Sequence, residues 1–218
     1  MSRRVAVVIA AGPGVSGSLS RRMAREGYDL ALVGHEEEAL QTLTGELEAL
    51  GATVSHAVVD VTDAAAAADA VRGLAEGFGR VDWLHFNPSA FRQKDPLTLT
   101  AAELLTDVGL GVGALLTALQ AVRPFLQAGG RVTATGSMAA DEPWNEAASL
   151  GVQKAGLRNL VRSVDTTLEP LGVRAVSLTV RGTLGEEGPF TPDRVADAIW
   201  DAAHQDESDW HTEVPYSG

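Results

Sequence analysis

The 218-residue sequence predicts a single α/β domain over positions 1–218, an open, doubly wound parallel sheet of about seven strands with helices on both faces. Three observations predict it. Apolar runs of strand length alternate with longer helical patterns from one end to the other. The strand runs are rich in β-branched residues and lack polar alternation, as do strands buried on both faces. A glycine-rich stretch stands where the first run meets the first helical pattern. The competing (β/α)₈ barrel needs eight such units and usually more residues.

The elements follow in order. "RRVAVVIA" (3–10) reads as the first strand and leads through glycines into the helix "GSLSRRMAREG". "YDLALVG" (28–34) is the second strand, followed by a helix with Ala39, Leu40, Leu43, Leu47 and Leu50 on its apolar side. "ATVSHAVVD" (52–60) precedes an alanine-rich helix, the alanines being strong helix formers. "VDWLHFN" (81–87), "GRVTATG" (130–136) and "VRAVSLTV" (173–180) are three further strands with long helical stretches between them. "TPDRVADAIWDAAH" and the short run "WHTEVPY" close the chain. Glycines 109, 111 and 113 point to close helix packing.

Charge and composition narrow the function classes. A net charge of −12, from 29 acids against 17 bases with no basic block, argues against nucleic acid or an anionic membrane as partner. No apolar run approaches a membrane span, and "MSRR" leads straight into a strand, so a cytoplasmic protein is expected. With no cysteine there is no thiolate metal site, and no metal is expected. A small-molecule ligand at the strand C-terminal ends is the remaining expectation.

The turn "IAAGPGVSGSLSRR" (9–22) is placed to receive a dinucleotide pyrophosphate, where glycine lets backbone approach the phosphates. "SLGVQKAGLRNL" (149–160) opens a helix carrying Lys154, and Leu150 lies one turn earlier on the same face. With Asp60 in "VVDVTD", Asn87 in "FNPSA", Ser137 in "TGS" and Gly182 in "VRGTL", this order resembles the short-chain dehydrogenase/reductase family, which has a Rossmann-type fold. The likeness covers nearly the whole chain. The family's Gly-x-x-x-Gly-x-Gly turn aligns on Ala10, Gly14 and Ser16, with Gly12 and Gly17 close by. Ser137 precedes position 150 by the family's serine-to-tyrosine interval of 13 residues, and Lys154 completes the Tyr-x-x-x-Lys frame.

The resemblance implies an NAD(P)-dependent oxidoreductase acting on a carbonyl or alcohol. It implies Ser137 and Lys154 as catalytic residues and Gly12, Gly14, Ser16, Gly17, His35, Asp60, Val61, Asn87, Lys154 and Gly182 at the cofactor. Two positions depart from the family. Leu150 stands at the tyrosine and Gly109 at the helix asparagine, and neither can transfer a proton. Only two tyrosines exist, Tyr28 and Tyr216, and neither is expected at the site. After the second strand, Gly34 and His35 replace the acid that favours NAD, which leans towards NADP, although Glu36, Glu37 and Glu38 would repel a 2′-phosphate. The alternative is a non-redox protein on the same scaffold, with cofactor binding lost: a silent subunit, a ligand sensor or a proton-transfer or cyclisation enzyme. The family likeness also implies a homodimer or homotetramer formed through the helix with glycines 109, 111 and 113 and the helix bearing Lys154, where "LLTALQAV" and "LRNLV" are apolar.

Overall fold

The computed structural model describes residues 3–218, and the expected strands form one parallel sheet. They are β1 (Arg4–Ile9), β2 (Tyr28–Gly34), β3 (Val54–Val58), β4 (Val81–Phe86), β5 (Leu126–Ser137), β6 (Arg174–Val180) and β7 (Glu213–Tyr216). Their spatial order is β3-β2-β1-β4-β5-β6-β7. The order reverses between β1 and β4, which opens a crevice at their C-terminal ends.

Strand alternation divides the core. Ala6 and Val8 of β1 join one cluster with α1 (Val15–Arg25), α2 (Glu37–Ala49) and α7 (Pro192–Ala203). Val7 and Ile9 join the other, with α3 (Ala64–Phe78), α5 (Ala114–Val122) and α6 (Ala148–Leu168). Helices therefore cover both faces, and the single-domain Rossmann-type fold follows from the uninterrupted apolar strands. Tyr28 is buried in the first cluster, edge-on to Trp83 and Trp200, far from any catalytic use.

Helix ends are specified locally. Asp63 accepts from the N–H groups of Ala65 and Ala66 to start α3, and Gly79, at φ 73°, ends it. Thr100 and Glu103 form a reciprocal capping box at α4 (Ala101–Val108).

Two expectations need correction here. The stretch Ala101–Phe125 is one continuous helical run of 25 residues with mean hydropathy 1.5, long and apolar enough by those measures to cross a membrane. Its glycines hide that continuity in the sequence. Its inner side, with Leu115, Ala118 and Val122, is packed into the sheet cluster. Within it, Gly109–Gly113 form a widened turn of i→i+5 type. Of the three glycines, only Gly111 is needed for close approach; added β-carbons at Gly109 and Gly113 would meet nothing within 4 Å.

Candidate functional site

The C-terminal ends of β1, β4, β5 and β6 and the opening of α6 surround a chamber of about 410 Å³. Gly14, Asn87, Ser137, Leu150, Lys154 and Gly182 all line it, so six positions spread across the sequence converge. Phe91, Val180 and Leu184 give it apolar walls. A neighbouring chamber of about 460 Å³ is lined by Gly34, His35, Asp60 and Val61, and the two share Ser89.

Lys154 is 4% exposed, and its Nζ donates to the carbonyl of Thr135 at 2.9 Å. No carboxylate pairs with it among the described residues, and burial pushes its ammonium down to about 8. Asn87 accepts from the Thr135 hydroxyl at 2.7 Å, fixing that side chain across β4 and β5. Ser137 Oγ accepts from Ala139 N–H at 3.2 Å, a local turn bond. The Asp60 carboxylate accepts from the hydroxyl and N–H of Thr62, which hold it below the usual carboxylate range. His35 is exposed and lies 3.3 Å from a Glu36 carboxylate oxygen.

The glycine-rich turn divides by role. Gly14 lines the first chamber, and α1 starts there with no side-chain cap and no acid in its first turn. Its leading N–H groups are thus available to an anionic ligand. Gly12, Ser16 and Gly17 line neither chamber. Ser16 is buried and donates to the carbonyl of Ala10 at 2.9 Å, and Ala10 has φ 60°. A β-carbon on Gly17 would collide with the carbonyl of Gly12. These three residues shape the turn.

Sequence reasoning missed a partly buried network beside the chamber. Arg92 forks onto Asp107 with two bonds of 2.9 Å, and Ser149 donates to the same carboxylate at 2.7 Å. Arg92, chiefly by hydrogen bonding, holds the Asp107 carboxyl below its ordinary range. Gln153 accepts from Ala90 N–H at 3.0 Å and donates to Ala90 C=O at 3.2 Å. Lys94 reaches Glu103 at 2.6 Å. The loop after β4 is therefore bound to α4 and α6. Arg181 and Arg158 likewise meet at Asp141, at 3.3 and 2.7 Å. Arg92 and Asp107 stand 15 residues apart, and no local pattern in the sequence pairs them.

Tyr216 ends β7, and its hydroxyl donates to Pro189 C=O at 2.6 Å, so neither tyrosine lines the chambers.

The sequence matches the family description "short chain dehydrogenase" over residues 4–185. The chain belongs to the short-chain dehydrogenase family. An uncharacterized oxidoreductase of Staphylococcus epidermidis is 24% identical over 210 residues, covering 91% of this chain and 90% of its own. Another from Myxococcus xanthus is 27% identical over 180 residues, covering 82% and 71%. Among solved structures, a short-chain dehydrogenase of Burkholderia cenocepacia in complex with NADP superposes with TM-score 0.87 at 24% identity, covering 100% of this chain and 97% of that one. A dehydrogenase/reductase of Sinorhizobium meliloti gives TM-score 0.88 at 21% identity, covering 99% and 94%. Short-chain dehydrogenases of different sequence thus share this backbone.

Proposed function

We propose that this protein binds a nicotinamide dinucleotide along the paired chambers, NADP in preference to NAD, and acts as an atypical oxidoreductase on a carbonyl or alcohol substrate. The observation that carries the reading is the meeting of the two chambers at Ser89, with Gly14, Asn87, Ser137, Lys154 and Gly182 around one and His35, Asp60 and Val61 around the other. The uncapped start of α1 suits a pyrophosphate. When bound, the dinucleotide would supply or accept hydride. Lys154 would hold the ribose next to the nicotinamide, Asp60 would meet the adenine, and His35 would face the 2′-phosphate. Ser137 would hold the substrate oxygen. Gly12, Ser16 and Gly17 support the binding turn from behind.

The proton has no phenol to come from, since Leu150 stands at the family's tyrosine position. The Lys154 ammonium is the acid nearest to hand in the same chamber. The protein is read as a cytoplasmic homodimer or homotetramer acting on small molecules, a reading supported by the exposure of Leu105, Leu116 and Val152 on the α4–α6 side.

A second, non-redox reading has its own support. Leu150 and a chamber without tyrosine give the ordinary proton relay no place to start. Calorimetric titration with NADPH and NADH, followed by turnover over a carbonyl and alcohol panel, separates the two. Binding with turnover supports the oxidoreductase; no binding at millimolar cofactor removes it in favour of the non-redox scaffold.

A further inference from the structure

The chain contains two lysines, Lys94 and Lys154, in opposite settings. Lys94 is part-exposed and sits in an ion pair with Glu103 at 2.6 Å. Lys154 is buried in the wall of the first chamber, and among the described residues its Nζ has one partner, the neutral carbonyl of Thr135. A neutral acceptor orients an amine without holding it as the ammonium. If Lys154 gives one N–H to Thr135 as a free amine, its lone pair is left for another electrophile. Leu150 adds to the apolar wall, and no Asp or Glu is among the residues lining the chamber. Desolvated lysines in apolar pockets are the ones that serve as carbonyl nucleophiles.

We propose that Lys154 is a carbonyl-capturing amine, which in the cofactor-free protein binds an apolar aldehyde or ketone as a reversible imine. The Nζ lone pair adds to the carbonyl carbon, and the carbonyl oxygen takes up one nitrogen proton to give a carbinolamine. That oxygen then leaves as water with the second nitrogen proton, and the C=N bond remains. No electrons are gained or lost, so no oxidant or reductant is required. Ser137 lines the same chamber, and its hydroxyl accepts from Ala139 while donating to no described residue, so it can relay these protons. Phe91, Val180 and Leu184 select an apolar body, and Phe91 pairs with Trp144 at 5.6 Å. An aryl aldehyde is the matching class. The depressed ammonium described above agrees with this arrangement. This activity goes beyond the oxidoreductase reading and needs no dinucleotide.

The test is reductive trapping of the full chain with benzaldehyde and cyanoborohydride at pH 7, mapped by peptide mass spectrometry. The folded wild type should carry benzyl on Lys154 at a rate at least about tenfold that of Lys94, a ratio that collapses in urea. Lys154→Arg should lose that adduct and keep the slow one. Lys154 modified no faster than Lys94 overturns the proposal. A parallel arm contains NADPH. Protection of Lys154 supports both readings. An adduct that NADPH does not slow supports imine capture while counting against the cofactor site. Absence of the adduct without cofactor overturns imine capture, and calorimetry judges the cofactor reading separately.

Discussion

The side chain of Gln153 occupies the space that any larger residue at Gly111 would need, and it ties α6 to the backbone of Ala90 with two hydrogen bonds. A β-carbon on Gly111 would stand 3.0 Å from the Gln153 β-carbon and in collision with its carboxamide oxygen. Three segments thus meet at one point: the widened helical turn, α6 and the loop after β4.

Gly111→Ala should therefore destabilise the fold by about 1–3 kcal/mol despite alanine's better helix propensity. Urea denaturation measures the loss. Gln153→Ala in the same chain should offset part of it, with a coupling of at least about 0.5 kcal/mol in a double-mutant cycle. Strict additivity would mean the contact is not the cause.

Leu150→Tyr places a phenol one turn from Lys154 in the same chamber. If the remaining site is competent, NADPH-dependent carbonyl reduction should rise by roughly 10²–10⁴-fold, the range of a positioned acid. Steady-state absorbance assays over the carbonyl panel give the answer. A folded, cofactor-binding variant with unchanged rates would show that more than the acid is missing.

The buried Lys154 ammonium makes stability depend on pH. Its folded value lies at about 8, below its ordinary 10.5, because burial disfavours the charge. Between those values the unfolded chain binds more protons, so this lysine's contribution to stability rises with pH across the window and is flat below it. Lys154→Met should remove a cost of about 3 kcal/mol at pH 7 and abolish the rise. Urea midpoints of both proteins from pH 7 to pH 10.5 supply the difference curve; a constant difference would contradict the assignment.

In the proposed cofactor site, His35→Asp exchanges the residue assigned to the 2′-phosphate for a fourth adjacent acid. It should weaken NADPH binding by roughly 1 kcal/mol and leave NADH equal or tighter, since only the former carries the 2′-phosphate. Calorimetry with both cofactors reads the shift. Equal losses for the two would place His35 away from that phosphate.

Much of this was legible in the sequence. The run "YDLALVG" matches β2 residue for residue, because a strand buried on both faces has no polar position to blur it. Asn87, Ser137, Lys154 and Gly182 are distant in sequence yet meet in one chamber, since each lies at or near a strand's C-terminal end or on the helix facing it. Other features were hidden. Gly109, Gly111 and Gly113 look alike as letters, and only the widened turn decides which of them faces Gln153. Arg92 and Asp107 are separated by a loop and two helical turns, so their pairing depends on tertiary docking that no local pattern records. Ser16 aligned with a phosphate-binding glycine, but its side chain bonds back to Ala10, a choice made by backbone conformation.

The last strand has a practical consequence at the bench. Tyr216 is held by Arg181 N–H and Pro189 C=O, its ring meets Phe190, and Gly218 packs on Pro189. Phe190 in turn lies against Gly182 at the rim of the lysine chamber. A purification tag or fluorescent fusion appended after Gly218 would therefore emerge beside that chamber. Such a handle should be cleaved before any binding assay.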